Sequence, residues 1–164
     1  MTKSVKERQQ TRMTISLQFP LDVDDEWPPF GSESLPFEEV GDKYRCLSAP
    51  LFVKDLSVGD IIKCEIGPNG FLNSWRHCHR SNRSVIWLLR QKENDKVQPI
   101  LQLLRQLGCN TAGLDELGSY AIDVPETVEI TEIDKVLEEL DQNTVAIAFP
   151  SMRHPETLDD APSS

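Results

Sequence analysis

The hydrophobic periodicity of the chain changes type near residue 85, and this change limits the folds open to it. Before that point, apolar and polar residues alternate over short stretches interrupted by glycine and proline, which is typical of β-strands. After it, two stretches repeat apolar residues every three or four positions, as one buried face of an α-helix requires. These apolar positions are Val97, Ile100, Leu101, Leu104 and Leu107, and then Ile133, Val136, Leu137 and Leu140. The chain is therefore predicted to be α+β, with a β-rich part over residues 12–84 and a mixed part over residues 85–150.

The β-rich part shows several short strands separated by turns. Residues 13–19 alternate strictly, which predicts a half-buried strand. Residues 44–47 and 51–53, on either side of Pro50, are predicted as short strands. Residues 61–66 and 71–79 flank a Pro68-Asn69-Gly70 turn and are predicted to pair as a hairpin. Such a succession of strands favours a small, partly open β-barrel or a curled sheet.

The mixed part reads as strand, helix, strand, strand, helix, strand. The first helix is predicted to have Asp95 as its N-cap and Gly108 just after its end, and the second helix to have Thr131 as its N-cap. The four strands are predicted at residues 85–91, 110–114, 119–124 and 144–149. This order is that of the ferredoxin-like βαββαβ arrangement, in which both helices cover one face of an antiparallel sheet.

The opposite face of that sheet is predicted to be lined by small side chains. Alternation places Ala121, Ala146 and Ala148 on the face away from the helices. Because small side chains permit close approach, we expect the β-rich part to pack there.

The two ends of the chain are polar. Residues 1–11 and 151–164 are predicted to be disordered tails. The first residues lack the apolar core of a secretory signal, and no stretch approaches the roughly 18 apolar residues of a membrane helix. The four cysteines show no C-x-x-C spacing, so reduced thiols and a cytoplasmic location are expected.

The net charge of −10 is concentrated in the second half of the chain. Residues 1–84 are almost balanced, and nearly the whole excess lies in residues 85–164. Such a half repels nucleic-acid phosphates and attracts a basic protein, although an acidic surface also serves solubility alone. The residues predicted to bind a basic partner are the acids of the second helix and its flanks, namely Glu129, Glu132, Asp134, Glu138, Glu139 and Asp141.

A basic segment over residues 76–83 suggests an alternative site. Its cationic side chains are predicted to bind a phosphate, a carboxylate or another small ligand, in a binding or an enzymatic domain. The competing interpretation is that they form ion pairs with the chain's own acids. The residues of this alternative site are Arg76, His77, His79, Arg80 and Arg83.

Other chemistries find little support in the sequence. Two histidines on one strand face fall short of the four ligands of a structural zinc site, and Cys78 points away from its neighbouring histidines. Single-stranded nucleic-acid binding, the third alternative, needs aromatic side chains on the open sheet face, where only Trp87 is expected. Phosphate-binding glycine motifs and catalytic serine or zinc motifs are missing from the sequence. No catalytic residue, metal or cofactor is therefore predicted.

Several short stretches nevertheless resemble a known family. They are Trp27, residues 41–52 (GDKYRCLSAPLF), residues 56–62 (LSVGDII), residues 80–85 (RSNRSV), residues 104–109 (LRQLGC) and residues 122–125 (IDVP). In this order they resemble a bacterial domain-of-unknown-function family, number 4265, over about residues 12–150. The family has no assigned activity, so the resemblance implies no catalytic residue.

The function expected from these observations is that of a protein-interaction module. Small proteins of this sort sometimes accompany polymorphic toxins as immunity proteins. An acidic inhibitor can cover the basic surface of a nuclease-like toxin and associate faster through electrostatic steering.

Overall fold

The computed structural model describes residues 13–155 and shows two antiparallel sheets and two helices. The predicted α+β class is therefore confirmed. The predicted tail at residues 1–11 lies outside the described residues, and so do residues 156–164 of the tail predicted at 151–164. The predicted boundary at residue 150 falls inside the last strand, and the chain continues in defined structure to Pro155.

The first sheet contains five strands that follow one another in both sequence and space. They are β1 (Thr14–Pro20), β2 (Ser32–Val40), β3 (Lys43–Cys46), β4 (Ile61–Ile66) and β5 (Leu72–His79). Their inward side chains, among them Phe19, Phe37 and Ile62, form one buried core. Gln18 of β1 forms one parallel bridge with Phe71, the residue just before β5. The sheet is thus curled, but it does not close into a barrel.

The second sheet contains four antiparallel strands and is covered by the two helices. Its elements are β6 (Ser84–Arg90), α1 (Val97–Gln106), β7 (Asn110–Leu114), β8 (Ser119–Val124), α2 (Ile130–Leu137) and β9 (Val145–Ser151). The spatial strand order is β7-β8-β6-β9. The apolar stripes of α1 and α2 pack on Ile86, Leu88 and Ile122 to form a second core. Burial of these stripes explains why helical spacing appears only in this half of the chain.

The helix ends differ slightly from the predicted ones. Helix α1 has Lys96 as its N-cap, one residue later than the predicted Asp95. The side chain of Asn94 accepts a hydrogen bond from the Lys96 N–H at 2.8 Å, and this turn precedes the helix. Helix α2 has Glu129 as its N-cap, in extended conformation, instead of Thr131. Gly108 follows α1 with a φ of 111°, as a glycine at the helix end was expected to do.

Strand β2 was not predicted, whereas residues 51–53, predicted as a short strand, form a loop. Strand β2 contains Pro36, which cannot donate to a ladder and so argues against a strand in sequence-based reasoning. Within the sheet, Leu35 and Phe37 are both buried and pair with β1. Their burial decides the conformation of this segment.

The two layers meet on the helix-free face of the second sheet. Ala121 is fully buried there, against Ala49 and Val85 and beside Leu51. Ala148, two strands away on the same face, is exposed. The predicted packing is therefore confirmed at Ala121 and wrong at Ala148. The layers are apart at Ala146 and Ala148 of β9, where an open cleft lies between them, and they meet again at the end of β9.

Candidate binding sites

A fully buried carboxylate, that of Asp60, lies between the first sheet and the C-terminal end of the described chain. It accepts backbone N–H groups of Ser57 at 3.0 Å and Ser81 at 2.8 Å, and Nε2 of His77 lies 2.9 Å away. Both terminal nitrogens of Arg153 donate to it at 2.9 Å. Burial raises the pKa of the Asp60 carboxyl, but these donors outweigh burial and hold that pKa below its ordinary value. Because donors of the chain itself surround the Asp60 carboxylate, we assign it a role in stabilising the fold.

Two arginines of the basic segment are bound by the chain's own carboxylates. Arg83 donates to both oxygens of Asp123, at 3.0 and 2.6 Å, and this bidentate pair raises the pKa of the Arg83 guanidinium. Arg80 donates to Asp55 at 2.6 Å on the surface. The competing interpretation of internal ion pairing therefore describes both arginines.

The other members of the predicted anion site are not gathered into one pocket. His77 is bonded to Asp60, whereas Arg76 and His79 lie exposed on β5. Residues 76 and 77 point to opposite faces of that strand because side chains alternate. With three of its five members engaged by carboxylates, the segment offers little uncompensated charge to an anion.

The C-terminal segment joins both halves of the molecule through side chains that sequence reasoning assigned to a tail. The guanidinium of Arg153 reaches Asp55 as well as Asp60. His154 is buried, with Nδ1 2.7 Å from the Ser84 hydroxyl and Nε2 2.9 Å from the Pro125 carbonyl. This short segment is held by hydrogen bonds and shows no periodic pattern of apolar residues, so its ordered structure could not be predicted from the local sequence.

The six acids predicted to bind a partner are all exposed. Glu132 pairs with Lys135 at 3.6 Å on the helix surface. Glu138 faces β9, whereas Glu139 and Asp141 line a shallow surface beside residues 93–96. The acids therefore surround α2 on more than one side.

A groove of about 460 Å³ separates α2 from β9. Its apolar part includes Leu137, Ile147 and Phe149, and the Phe149 ring is 50% exposed. Glu138 lies on its helical side. A partly exposed aromatic ring beside a carboxylate can bind both apolar and basic groups.

Strand β9 is an edge strand within the described residues, since β6 is its only strand partner. The Thr144 carbonyl faces β6, because it accepts the Gln91 N–H at 2.7 Å. Backbone groups alternate in direction along an antiparallel strand, so the N–H and C=O of Ile147 point outward. This position can accept an added strand.

A larger cleft of about 640 Å³ opens between the two sheets. Its walls are mostly apolar and contain six aromatic residues among nineteen, and its charged members are two aspartates and one lysine. The lining includes Phe19, Trp27, Phe52, Trp75, Trp87, Asp22, Asp24, Lys54, Leu89, Ser119, Ala146 and Ala148. The rings of Trp27 and Phe52 lie edge to face at 5.9 Å, and those of Phe19 and Trp75 at 5.7 Å.

Specific polar contacts hold the cleft walls in place. The half-buried carboxylate of Glu33 accepts the three backbone N–H groups of residues 51–53 at 2.6–3.1 Å, which fixes Phe52 in the wall. Burial raises the pKa of the Glu33 carboxyl despite these donors. The indole N–H of Trp87 donates to the Pro50 carbonyl at 2.7 Å. The cleft is thus formed by ordered side chains.

Sequence reasoning did not find this cleft because its aromatic members lie far apart in the chain. Only Trp87 was expected on the helix-free face. Residues 19, 27, 52 and 75 belong to the other layer, and only the tertiary fold brings them opposite Trp87.

Within residues 13–155, histidine, cysteine and acidic side chains form no group of three that could hold a metal ion. None of the described helices has the length and apolar character needed to cross a membrane.

Fold and surfaces together define an α+β protein with an aromatic cleft between two sheets and an acidic helical surface. The chain belongs to the family described as Domain of unknown function (DUF4265), which matches residues 33–147 and so more than half of its length. This confirms the resemblance seen in the sequence. A search of curated proteins finds no match.

One solved structure shares the fold. It is described as the novel crystal structure of a hypothetical protein from Neisseria gonorrhoeae. The two chains are 16% identical with a TM-score of 0.67, and the match covers 85% of this chain and 96% of that one. At this identity the likeness concerns the fold alone.

Proposed function

We propose that the protein is an interaction module that binds a basic protein partner at the groove between α2 and β9. The observation that carries this proposal is the juxtaposition of an open strand edge, a half-exposed Phe149 ring and the carboxylate of Glu138. An extended segment can add to such an edge through its backbone while its side chains occupy the adjacent groove.

The C-terminal sheet with its helices is, in this proposal, a ferredoxin-like unit, which the order β7-β8-β6-β9 supports.

The charge distribution favours a basic segment over an acidic one. The chain has a net charge of −10, and the arginines of its basic segment are largely engaged by its own carboxylates. The acids around α2 remain at the surface. A cationic partner is therefore attracted to this surface from a distance, and it meets less like charge on contact than an acidic partner would.

An immunity protein that neutralises a basic, nuclease-like toxin is the particular function that this chemistry fits. Such an inhibitor covers the cationic surface that a nuclease uses for phosphates, and complementary charge increases its association rate. The cytoplasm is the compartment in which such an inhibitor acts on a nuclease.

Affinity capture with the full chain tests the proposal. The tagged protein should recover one stoichiometric basic protein from the native host, and the measured Kd of the purified pair should rise steeply with salt. Failure to recover a partner, or an affinity that does not depend on salt, would refute the proposal.

Matched variants locate the interface. Phe149→Ser should weaken binding by roughly 30-fold or more, as the loss of a central aromatic contact does. Phe71→Ser removes a comparably exposed ring from the first sheet and should leave the affinity unchanged. Glu138→Arg should slow association, whereas Glu65→Arg, an equal charge change on β4, should have a much smaller effect. Equal effects of the paired variants would place the interface elsewhere.

A further inference from the structure

We infer that the cleft between the two sheets binds a small planar organic cation of the amidinium or guanidinium class. This site is separate from the groove at β9 and does not depend on the function proposed above. It lies where the two layers separate, on the helix-free face of the second sheet. Its volume of about 640 Å³ is within the range of small-molecule sites.

The aromatic walls favour a flat or cationic ligand. Trp27, Phe52 and Trp75 line one side of the cleft together with Phe19, which is almost fully buried, and Trp87 lines the other side. Ring faces attract cations through their quadrupole, and planar guanidinium groups also stack on them. Rings on both sides allow a flat ligand to lie between the layers.

The charged groups of the cleft favour a cation over an anion. Asp22 and Asp24 contribute two carboxylates, and Lys54 contributes one ammonium group. All three residues are exposed at the cleft. A carboxylate ligand would face an excess of like charge, whereas a cation is attracted by both the carboxylates and the rings.

A buried hydroxyl on the second sheet supplies an independent indication of a polar ligand atom. Ser119 pairs with Leu89 and shares its face, and both line the cleft. Ser119 is only 5% exposed. In residues 13–155 its hydroxyl has no hydrogen-bond partner, although buried hydroxyl groups are normally bonded. An N–H donor of an amidinium ligand would satisfy this oxygen.

Three isosteric probes test the charge preference, namely benzamidinium, benzamide and benzoate. We expect benzamidinium to bind the full chain with a Kd roughly three- to thirtyfold lower than that of benzamide, as cation–π contacts provide. Benzoate should bind more weakly than both. Calorimetry gives the Kd values, and the indole N–H resonances of Trp27, Trp75 and Trp87 should shift with benzamidinium.

Two pairs of variants locate the binding. Ala148→Phe fills the cleft from an exposed position and should abolish binding. Ala112→Phe is also exposed and lies on the same face of the sheet, opposite Ala121 but outside the cleft, and should bind normally. Ser119→Ala should weaken benzamidinium binding while leaving the denaturation midpoint unchanged or higher, because it removes an unpaired buried hydroxyl.

The inference is overturned by any of three results. These are failure of all probes to bind at millimolar concentration, binding of benzamide or benzoate as tight as that of benzamidinium, and benzamidinium binding that persists in a folded Ala148→Phe variant. Should Ala148→Phe not fold, Asp22→Asn with Glu65→Gln as its charge control decides the question. Only the former should weaken benzamidinium binding, and an equal Kd in both would reject the site.

Discussion

Replacing Asp60 by asparagine should destabilise the protein more than any substitution of a surface carboxylate. The Asp60 side chain is fully buried and accepts five donor contacts at 2.8–3.0 Å. Asparagine has nearly the same shape, but its NH₂ group takes the place of one oxygen and leaves two or three of those donors without an acceptor. It also deprives the guanidinium of Arg153, which is 10% exposed, of its closer charge partner, while the Asp55 carboxylate at 3.4 Å remains.

The expected loss in the free energy of unfolding is about 3–5 kcal/mol. Each unsatisfied buried donor costs about 1–3 kcal/mol, and breaking a buried ion pair by removing one partner costs about 3–5 kcal/mol. These two estimates describe the same broken contacts, so they are alternatives and do not add. The loss is a large part of the roughly 5–15 kcal/mol that stabilises a typical domain.

Urea denaturation followed by tryptophan fluorescence measures this loss. Asp42→Asn is the control, because Asp42 is exposed and its 3.3 Å pair with Lys63 lies on the surface. A double-mutant cycle of Asp60→Asn with Arg153→Met should give a coupling energy of about 0.5–3 kcal/mol. A loss below about 1 kcal/mol for Asp60→Asn would contradict the role assigned to this carboxylate.

The pH dependence of stability provides a second test. The folded-state pKa of Asp60 lies below its unfolded value, so its contribution is present at pH values above the unfolded pKa. That contribution is lost as the pH falls through the folded-state value. The wild-type protein should therefore lose stability on acidification below about pH 4 more steeply than Asp60→Asn does. Parallel curves would show that another group controls the acid transition.

Three further outcomes follow from the packing. Leu104→Ala, at a fully buried position of α1, should lower the free energy of unfolding by about 2–5 kcal/mol. Leu103→Ala, at a position 39% exposed, should have little effect, and equal losses for the two variants would contradict the assigned helix face. Gly59→Ala should lower the free energy of unfolding by about 1–2 kcal/mol in urea denaturation, because residue 59 has a φ of 90° and a Cβ there would lie 3.2 Å from a side-chain carbon of residue 81. Unchanged stability would show that this turn adapts to the added Cβ. Burial raises the pKa of the Cys46 thiol to about 12, so iodoacetamide at neutral pH should label exposed Cys78 before Cys46. Mass spectrometry of timed samples measures the order of labelling, and early labelling of Cys46 would contradict its burial.

The helical half was predictable because its signals are local. Strands β7 and β8 were predicted with their observed bounds, and both helices were located by their apolar spacing. Their caps shifted by one or two residues, since the side chain of Asn94 and the extended backbone of Glu129 set the helix starts. Such details depend on individual hydrogen bonds that several neighbouring residues could make.

The parts that were not predicted depend on contacts between distant residues. Strand β2 is stabilised by burial of Leu35 and Phe37 against β1, which outweighs the unfavourable signal of Pro36. The cleft assembles aromatic residues from both layers, and the Asp60 centre requires Arg153. Neither arrangement has a fixed spacing in the sequence, so neither could be derived from periodicity or motifs.

The bond between Asp60 and Arg153 also determines how the protein can be shortened. The two residues are 93 positions apart, and Arg153 lies beyond the last residue of the family match at 147. A fragment cut to residues 33–147 would lose Arg153 together with β1, including Leu17 and Phe19 of the first core. It would retain an interior negative charge with its strongest counterion removed. A shortened fragment should therefore keep all residues from β1 through His154.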